Sequence, residues 1–440
     1  MKILKLDRTE DLASFRQDWQ KRSVIPLEVL NKVLTIIEAV RKKGDEALIE
    51  YTKQFDGLDL KKTGMEIDPA EIEKAYNEHK DLRQMLEIAA KRIEKYHQEA
   101  LPKHWFYTDE YGNLLGQRLT PVDRVGVYCP GGKAAYPSSV LMNVIPAQVA
   151  GVREIIMCVP TPRGEISPAV LVAAKIAGVK RLFRLGGAQA IAAMAYGTES
   201  VPKVDFICGP GNIYVAAAKK LVFGEVGIDM VAGPSEIAVV ADGSVPAKWC
   251  AADLLSQAEH DEMASPILIT TAKTYAQEVE RELEKQLSEL SRQKIAATSL
   301  EKQGHIFIVP DLKMAAAVVN IIAPEHLELL VEDPFALLTE IRHAGAIFLG
   351  KYAAEPIGDY IAGPNHTLPT SGTARFSSVL STETFLKRTS ILFITQNGLK
   401  TLGPKAIQLA QIEGLTAHAA SIEKRLETLK NKEGSEDEED

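Results

Sequence analysis

From Val125 onward the chain alternates short, nearly continuous apolar runs with stretches of helical length, and this rhythm constrains the fold more than any other feature. Residues 125–130, 154–160, 181–186 and 204–209 are strand-like runs rich in β-branched residues. Between them, residues 138–151, 168–178, 188–196 and 212–223 carry helical spacing. A strand that is apolar at almost every position has both faces covered, which is how parallel strands with crossover helices are built. The rhythm then repeats, with strands at 237–241, 266–270, 305–309 and 346–349 and helices at 246–260, 275–290, 311–322 and 334–343. The expectation is an α/β chain with two Rossmann-like open parallel sheets of similar size.

The flanks read differently. Residues 1–24 look like a polar arm, and residues 26–55 and 69–101 are helical by i, i+3, i+4 spacing. A hairpin is expected around Tyr111-Gly112-Asn113. After Gly350 the chain is loop-like through Thr373. Residues 380–430 then form a strand-and-helix unit too small to stand alone, so it must dock on something. The domain reading is a 1–24 arm, one sheet domain from 25–124 with 237–379, a second at 125–236, a C-terminal unit at 380–430, and a tail. That tail, 431–440, carries six acids and one lysine, so the net charge of −8 is mostly local and the rest of the chain holds −3. It reads as disordered and solubilising, and no basic stripe points to nucleic acid. No long apolar run or signal-like N-terminus occurs, so no membrane contact and a cytoplasmic setting are expected. Cys129, Cys158, Cys208 and Cys250 lie far apart without a Cys-x-x-Cys, as reduced, buried cysteines do.

Open α/β sheets bind ligands beyond the carboxyl ends of their strands. Three glycine-rich turns sit there in the first set: Tyr128-Cys-Pro-Gly131-Gly132, Gly186-Gly187-Ala-Gln189 and Gly209-Pro-Gly211-Asn212. Each brings backbone N–H groups to a helix start, which suits phosphate, although each alone also reads as a tight strand-to-helix turn. The dinucleotide fingerprint G-x-G-x-x-G is absent, because Tyr214 occupies its last position. The second set holds the acid–base groups. Gln257 and His260 share one helix face about a turn apart, a workable pair of metal ligands. Glu325-His326 places a carboxylate beside an imidazole, the groups best suited to move protons near neutrality. Asp359 and His366 lie in the loop after Gly350, and Glu413 and His418 in the C-terminal unit. His305 and His343 read as structural, and His79, His97 and His104 as charged helical surface.

Ile228-Asp-Met-Val-Ala-Gly-Pro-Ser-Glu-Ile237 and Asp253-Leu-Leu-Ser-Gln-Ala-Glu-His260 resemble the signature of the histidinol dehydrogenase family. The resemblance runs from Tyr128-x-Pro-Gly-Gly132 through Ala323-Pro-Glu-His326 and Gly363-Pro-Asn-His366 to Glu413-Gly-Leu-x-x-His418, leaving out only the acidic tail. It implies oxidation of L-histidinol to L-histidine through the aldehyde with two NAD⁺, one zinc per site, and a homodimer with exchanged C-terminal elements. By the same resemblance the zinc ligands are Gln257, His260, Asp359 and His418, with His418 supplied across the dimer. The proton acceptors are Glu325 and His326, and the NAD⁺ contacts are Tyr128, Gln189 and Asn212. Substrate contacts are Ser235, His326, His366 and Glu413 together with the metal ligands. Competing readings are a metal-free aldehyde dehydrogenase using Cys129, a zinc hydrolase, and a nucleotide-binding or metal-sensing protein without catalysis.

Overall fold

The computed structural model describes residues 1–19, 25–131 and 135–436. The chain divides into two compact units, Met1–Leu101 with Val122–Phe385 and Pro102–Pro121 with Leu386–Asp440. The first unit contains both expected parallel sheets. Among the described residues, no helix is long and apolar enough to cross a membrane.

The larger sheet has six strands in the order β1-β11-β10-β9-β12-β13, all parallel. They are β1 (Lys2–Lys5), β9 (Glu236–Ala241), β10 (Ser265–Thr270), β11 (His305–Ile308), β12 (His326–Leu330) and β13 (Ala346–Leu349). Side chains alternate across a strand, and the two faces have separate cores. Ala238, Val240, Ile267, Ile269, Leu327 and Leu329 pack against helix Leu312–Ile322. Ile237, Val239, Ala241, Leu268 and Leu330 pack against helices Ala247–Ala258 and Lys273–Leu287. Each of the buried Val, Leu and Ile side chains among these contributes about 1.5–3 kcal/mol. The alternation also assigns His326 and Glu328 to the face of Leu330, under the helix that carries Gln257.

The smaller sheet has five parallel strands in the order β6-β5-β4-β7-β8. These are β4 (Arg124–Tyr128), β5 (Glu154–Cys158), β6 (Arg181–Phe183), β7 (Phe206–Cys208) and β8 (Gly227–Ile228). The chain winds from β4 outward to β6, then returns to place β7 on the other side of β4. This reversal is the crevice where such sheets take ligands. Tyr128 ends one of the two strands that flank it, and Gly209–Asn212 follow the other.

Two expectations about the N-terminal part are corrected. The polar arm is, as far as Trp19, part of the larger sheet: β1 pairs with β11, and helix Thr9–Trp19 turns Leu12, Phe15 and Trp19 onto its core. The Phe15 ring lies 5.0 Å from that of Phe307. One apolar stripe on an otherwise charged helix is all a sheet edge requires; residues 20–24 lie outside the described residues. Helices Leu27–Lys43, Asp45–Asp56 and Lys80–Glu99, assigned above to the metal-bearing sheet domain, instead cover the five-stranded sheet. Val33, Ile37 and Leu48 share a core with Tyr128, Ile156 and Ile207, and Lys80–Glu99 packs on helix Pro137–Val149.

In the second unit, β2 (Trp105–Thr108) and β3 (Leu114–Pro121) form the expected hairpin, and β14 (Leu386–Phe393) adds to it antiparallel along its whole length. The Asp109 carboxylate closes the turn by accepting the N–H groups of Tyr111 and Asn113. The C-terminal segment therefore completes a sheet with residues 102–121, which the sequence reading had placed in another domain. Helices Gln396–Ile412 and Thr416–Glu436 pack on each other. The last helix continues past Lys430, where a disordered tail was expected, and residues 437–440 lie outside the described residues.

Candidate active site

Glu325 and His326 precede and open β12, beside the start of β9. Parallel pairing sets His326 opposite Ile237, so the backbone of Glu236 faces both side chains. Its N–H donates to Glu325 Oε2 at 2.9 Å. Its carbonyl accepts from His326 Nδ1 at 3.0 Å. The carbonyl can only accept, so Nδ1 carries a proton and Nε2 is the nitrogen left for chemistry. Nε2 points at two more carboxylates, Asp359 Oδ1 at 3.5 Å and Glu355 Oε1 at 3.7 Å. Among the described residues, His326, Glu355 and Asp359 offer ligand atoms within 4.8 Å of one another, a group able to hold a metal ion.

Burial dominates the electrostatics. It raises the Glu325 carboxyl to about 7. It also opposes charge on His326, but Glu325, Asp359 and Glu355 outweigh it and hold the imidazole up at about 10. Burial likewise disfavours the Asp359 carboxylate, yet its hydrogen bond and attraction to His326 bring it down to about 2. Glu355, desolvated beside Asp359, rises to about 8. Carboxyls of one cluster are thus driven apart, one kept ionised and others kept as acids near neutrality.

Gln257 projects from the last turn of helix Ala247–Ala258 and is 1% exposed, with neither Oε1 nor Nε2 partnered. His260 follows just past that helix, exposed, and feels the charges of Asp359 and His326. His366 donates from Nδ1 to the Asp359 carbonyl at 3.0 Å, and its Nε2 lies 3.3 Å from Ser139 Oγ. His97, read above as charged surface, is fully buried; Asn365 Nδ2 lies 3.4 Å from its Nε2, and burial lowers it to about 4. It braces the loop that carries His366. Ser235 precedes Glu236 at the mouth of β9. Glu413 and His418 belong to the second unit, where both are exposed.

Three acidic groups escaped the sequence reading. Glu355 lies four residues before Asp359, the spacing of one helical face. Glu328 lies two residues beyond His326, on the same face of β12, fully buried. Its Oε1 accepts the Glu355 N–H at 2.7 Å, and its carboxyl feels the charge of the third, Asp253. In the smaller sheet, Tyr128 Oη accepts the Gly187 N–H at 3.1 Å. Gln189 is 1% exposed with an unpartnered Oε1, while Asn212 Oδ1 caps helix Ile213–Val222 and leaves its amide free to face outward. A cleft of ≈ 380 Å³ lined by Gly131, Pro160, Pro162 and Ser167 opens beyond β4 and β5. Gly132 lies outside the described residues. The Cys129 thiol is buried and pushed up to about 12, the reverse of what a catalytic thiolate needs.

The histidinol dehydrogenase sequence profile matches residues 20–426. The histidinol dehydrogenase of Syntrophotalea carbinolica is 52% identical over 97% of this chain and 99% of its own. That of Geobacter metallireducens is 55% identical over 91% and 92%. The crystal structure of the Elizabethkingia anophelis histidinol dehydrogenase superposes with a TM-score of 0.92 at 37% identity, covering 98% of this chain and 99% of the other. This chain belongs to the histidinol dehydrogenase family. It carries the family's oxidoreductase function in histidine biosynthesis, and the family uses NAD⁺ and zinc. An unpartnered, buried amide beside a carboxylate cluster fits a divalent ion.

Glu328 supplies a test of the buried acid network. Burial raises its carboxyl well above the ordinary value, so the folded state holds a proton that the unfolded chain releases above about pH 4.5. Stability is therefore lost as pH rises from there toward the folded value. Glu328→Gln keeps the acceptor for Glu355 and removes this loss. Melting of the zinc-free protein is expected to match the parent near pH 5 and to exceed it at pH 8. A variant less stable at pH 8 would contradict the assignment.

Proposed function

We propose that the His326 cluster and the helix end at Gln257 form the site where L-histidinol is oxidised to L-histidine through the aldehyde. The observation that carries this reading is the shared backbone of Glu236, whose N–H holds the buried Glu325 carboxyl and whose carbonyl holds the buried His326 imidazole with Nε2 turned toward Asp359. Zinc would be held by Gln257, His260 and Asp359, with His418 from the partner of a homodimer that exchanges its C-terminal unit. When bound, the ion supplies a Lewis acid that orients the imidazole and amine nitrogens of histidinol. Ser235, His366 and Glu413, with the ligand residues and His326, contact the substrate. The setting proposed is the cytoplasm.

Tyr128, Gln189 and Asn212 receive the dinucleotide at the switch point of the five-stranded sheet. His326 takes the hydroxyl proton through Nε2 as the carbinol carbon gives its hydride to the nicotinamide. This requires a neutral imidazole, and Asp359 neutralised by a cation no longer supports the charged form. Glu325, held to about 7 by burial, then removes a proton from water as the oxygen attacks the aldehyde. His326 serves again as the hydrate gives a second hydride to a second NAD⁺. Holding one substrate orientation through both steps keeps the aldehyde from water outside the site. Glu355, missed by the sequence reading, keeps Asp359 ionised and Nε2 oriented.

Glu325→Gln is expected to slow aldehyde-to-acid oxidation by roughly 100-fold and to change alcohol oxidation far less. Because Glu325 acts ionised, the acid-forming step of the parent should rise as pH passes through about 7. Equal loss in both half-reactions would remove Glu325 from water activation. Gln257→Leu should abolish stoichiometric zinc and turnover. It should leave the zinc-free protein as stable as the parent, or about 1 kcal/mol more so, because two unpaired buried amide atoms are gone. Full zinc content in that variant would refute the ligand role.

A further inference from the structure

A second buried charge network lies away from the acid–base cluster. Lys219, on helix Ile213–Val222, and Asp229, just beyond β8, form an ion pair in which each side chain is 1% exposed. Lys219 Nζ also donates to the Gly209 carbonyl at 3.0 Å. Asp229 Oδ2 accepts the Gly209 N–H at 2.9 Å, and Oδ1 accepts the Met230 N–H at 2.6 Å. Both backbone polar groups of one glycine are thus held by the two members of one ion pair. Gly209 has φ +112, and a Cβ there would collide with the Tyr128 carbonyl oxygen. The turn is pressed onto the backbone of Tyr128 and cannot shift without breaking the pair.

Burying two charges costs more than burying apolar side chains of similar size, so such a pair is weak evidence of stability. Its geometry shows what else it does. The turn it clamps leads into Asn212, and the chain that starts at Asp229 leads in seven residues to Glu236, whose N–H and carbonyl hold Glu325 and His326. Glu236 is anchored a third time, its Oε2 accepting the Ser371 N–H at 3.2 Å, and Gly233 N–H donates to Thr370 Oγ1. The segment between the two sheets is therefore fastened at Asp229, Gly233 and Glu236.

We propose that Lys219 and Asp229 are positioning residues for the nucleotide. They fix the Gly209–Asn212 turn and, through residues 229–236, hold it in register with Glu325 and His326, so that the hydride acceptor lies at a set distance from the base. The proposal rests on the reading that this turn receives NAD⁺. Neither side chain touches the reacting atoms.

The test is steady-state kinetics on the zinc-loaded protein with NAD⁺ and histidinol varied separately, alongside zinc content and melting. Lys219→Met with Asp229→Asn replaces the pair by a neutral one and leaves no lone buried charge. It is expected to raise KM for NAD⁺ about tenfold and to lower kcat, with KM for histidinol within about twofold and zinc content unchanged. Asp229→Asn alone, near-isosteric, should move the same two parameters the same way by about threefold, whether or not the double variant folds. Asn212→Ser keeps the cap oxygen and removes the amide, so it tests the NAD⁺ turn itself. If Asn212→Ser raises KM for NAD⁺ while the Asp229 variants leave both parameters unchanged, the positioning role is overturned and the turn stands. If Asn212→Ser also leaves KM for NAD⁺ unchanged, the turn assignment fails and the positioning role with it. Equal rises in both Michaelis constants together with a lower melting temperature would make the pair merely structural.

Discussion

The backbone of Glu236 holds both acid–base side chains, one by its N–H and the other by its carbonyl. This follows from parallel pairing of β9 with β12 in a fixed register, so the geometry of the pair is a by-product of sheet formation. A slip of one residue would turn His326 to the other face, away from Gln257 and into the aliphatic core of Leu327 and Leu329. The apolar residues that specify the register thereby also specify the imidazole tautomer. Rigid strands set the distances, which loops would hold less well.

The two sheets use opposite ends. In the five-stranded sheet the glycine-rich turns follow the carboxyl ends of β4 and β7, at the switch point. In the six-stranded sheet the chemistry gathers at the amino ends of β9 and β12, where helix Ala247–Ala258 ends because it runs back along the sheet. Residues 229–236 join one set to the other. On the proposed reading, hydride passes to a nucleotide on one sheet and protons to groups on the other, which needs such a connection to be stiff.

Much of this was legible in the sequence. Apolar runs with helical spacers gave both parallel sheets, and the resemblance pointed to the family that full-length relatives then established. β12 was not read as a strand, because Glu328 in its middle breaks the apolar run, and only tertiary burial beside Asp253 and Glu355 explains a carboxyl there. The N-terminal helix passed for an arm because three apolar residues spaced along one stripe are a weak signal. Glu355 was hidden by its loop, and His97 by the charged residues around it. What escaped were groups whose role depends on partners far along the chain. The ion pair of Lys219 with Asp229 is another, since neither residue stands out alone.

The central claim is that one site on this chain carries histidinol through both oxidations with zinc and NAD⁺. The most direct measurement is a count of NADH formed when purified protein consumes limiting L-histidinol with excess NAD⁺, before and after a chelator. About two NADH per histidinol are expected, with none after chelation and full recovery on adding zinc. One NADH per histidinol with aldehyde accumulating, or turnover indifferent to the chelator, would contradict it.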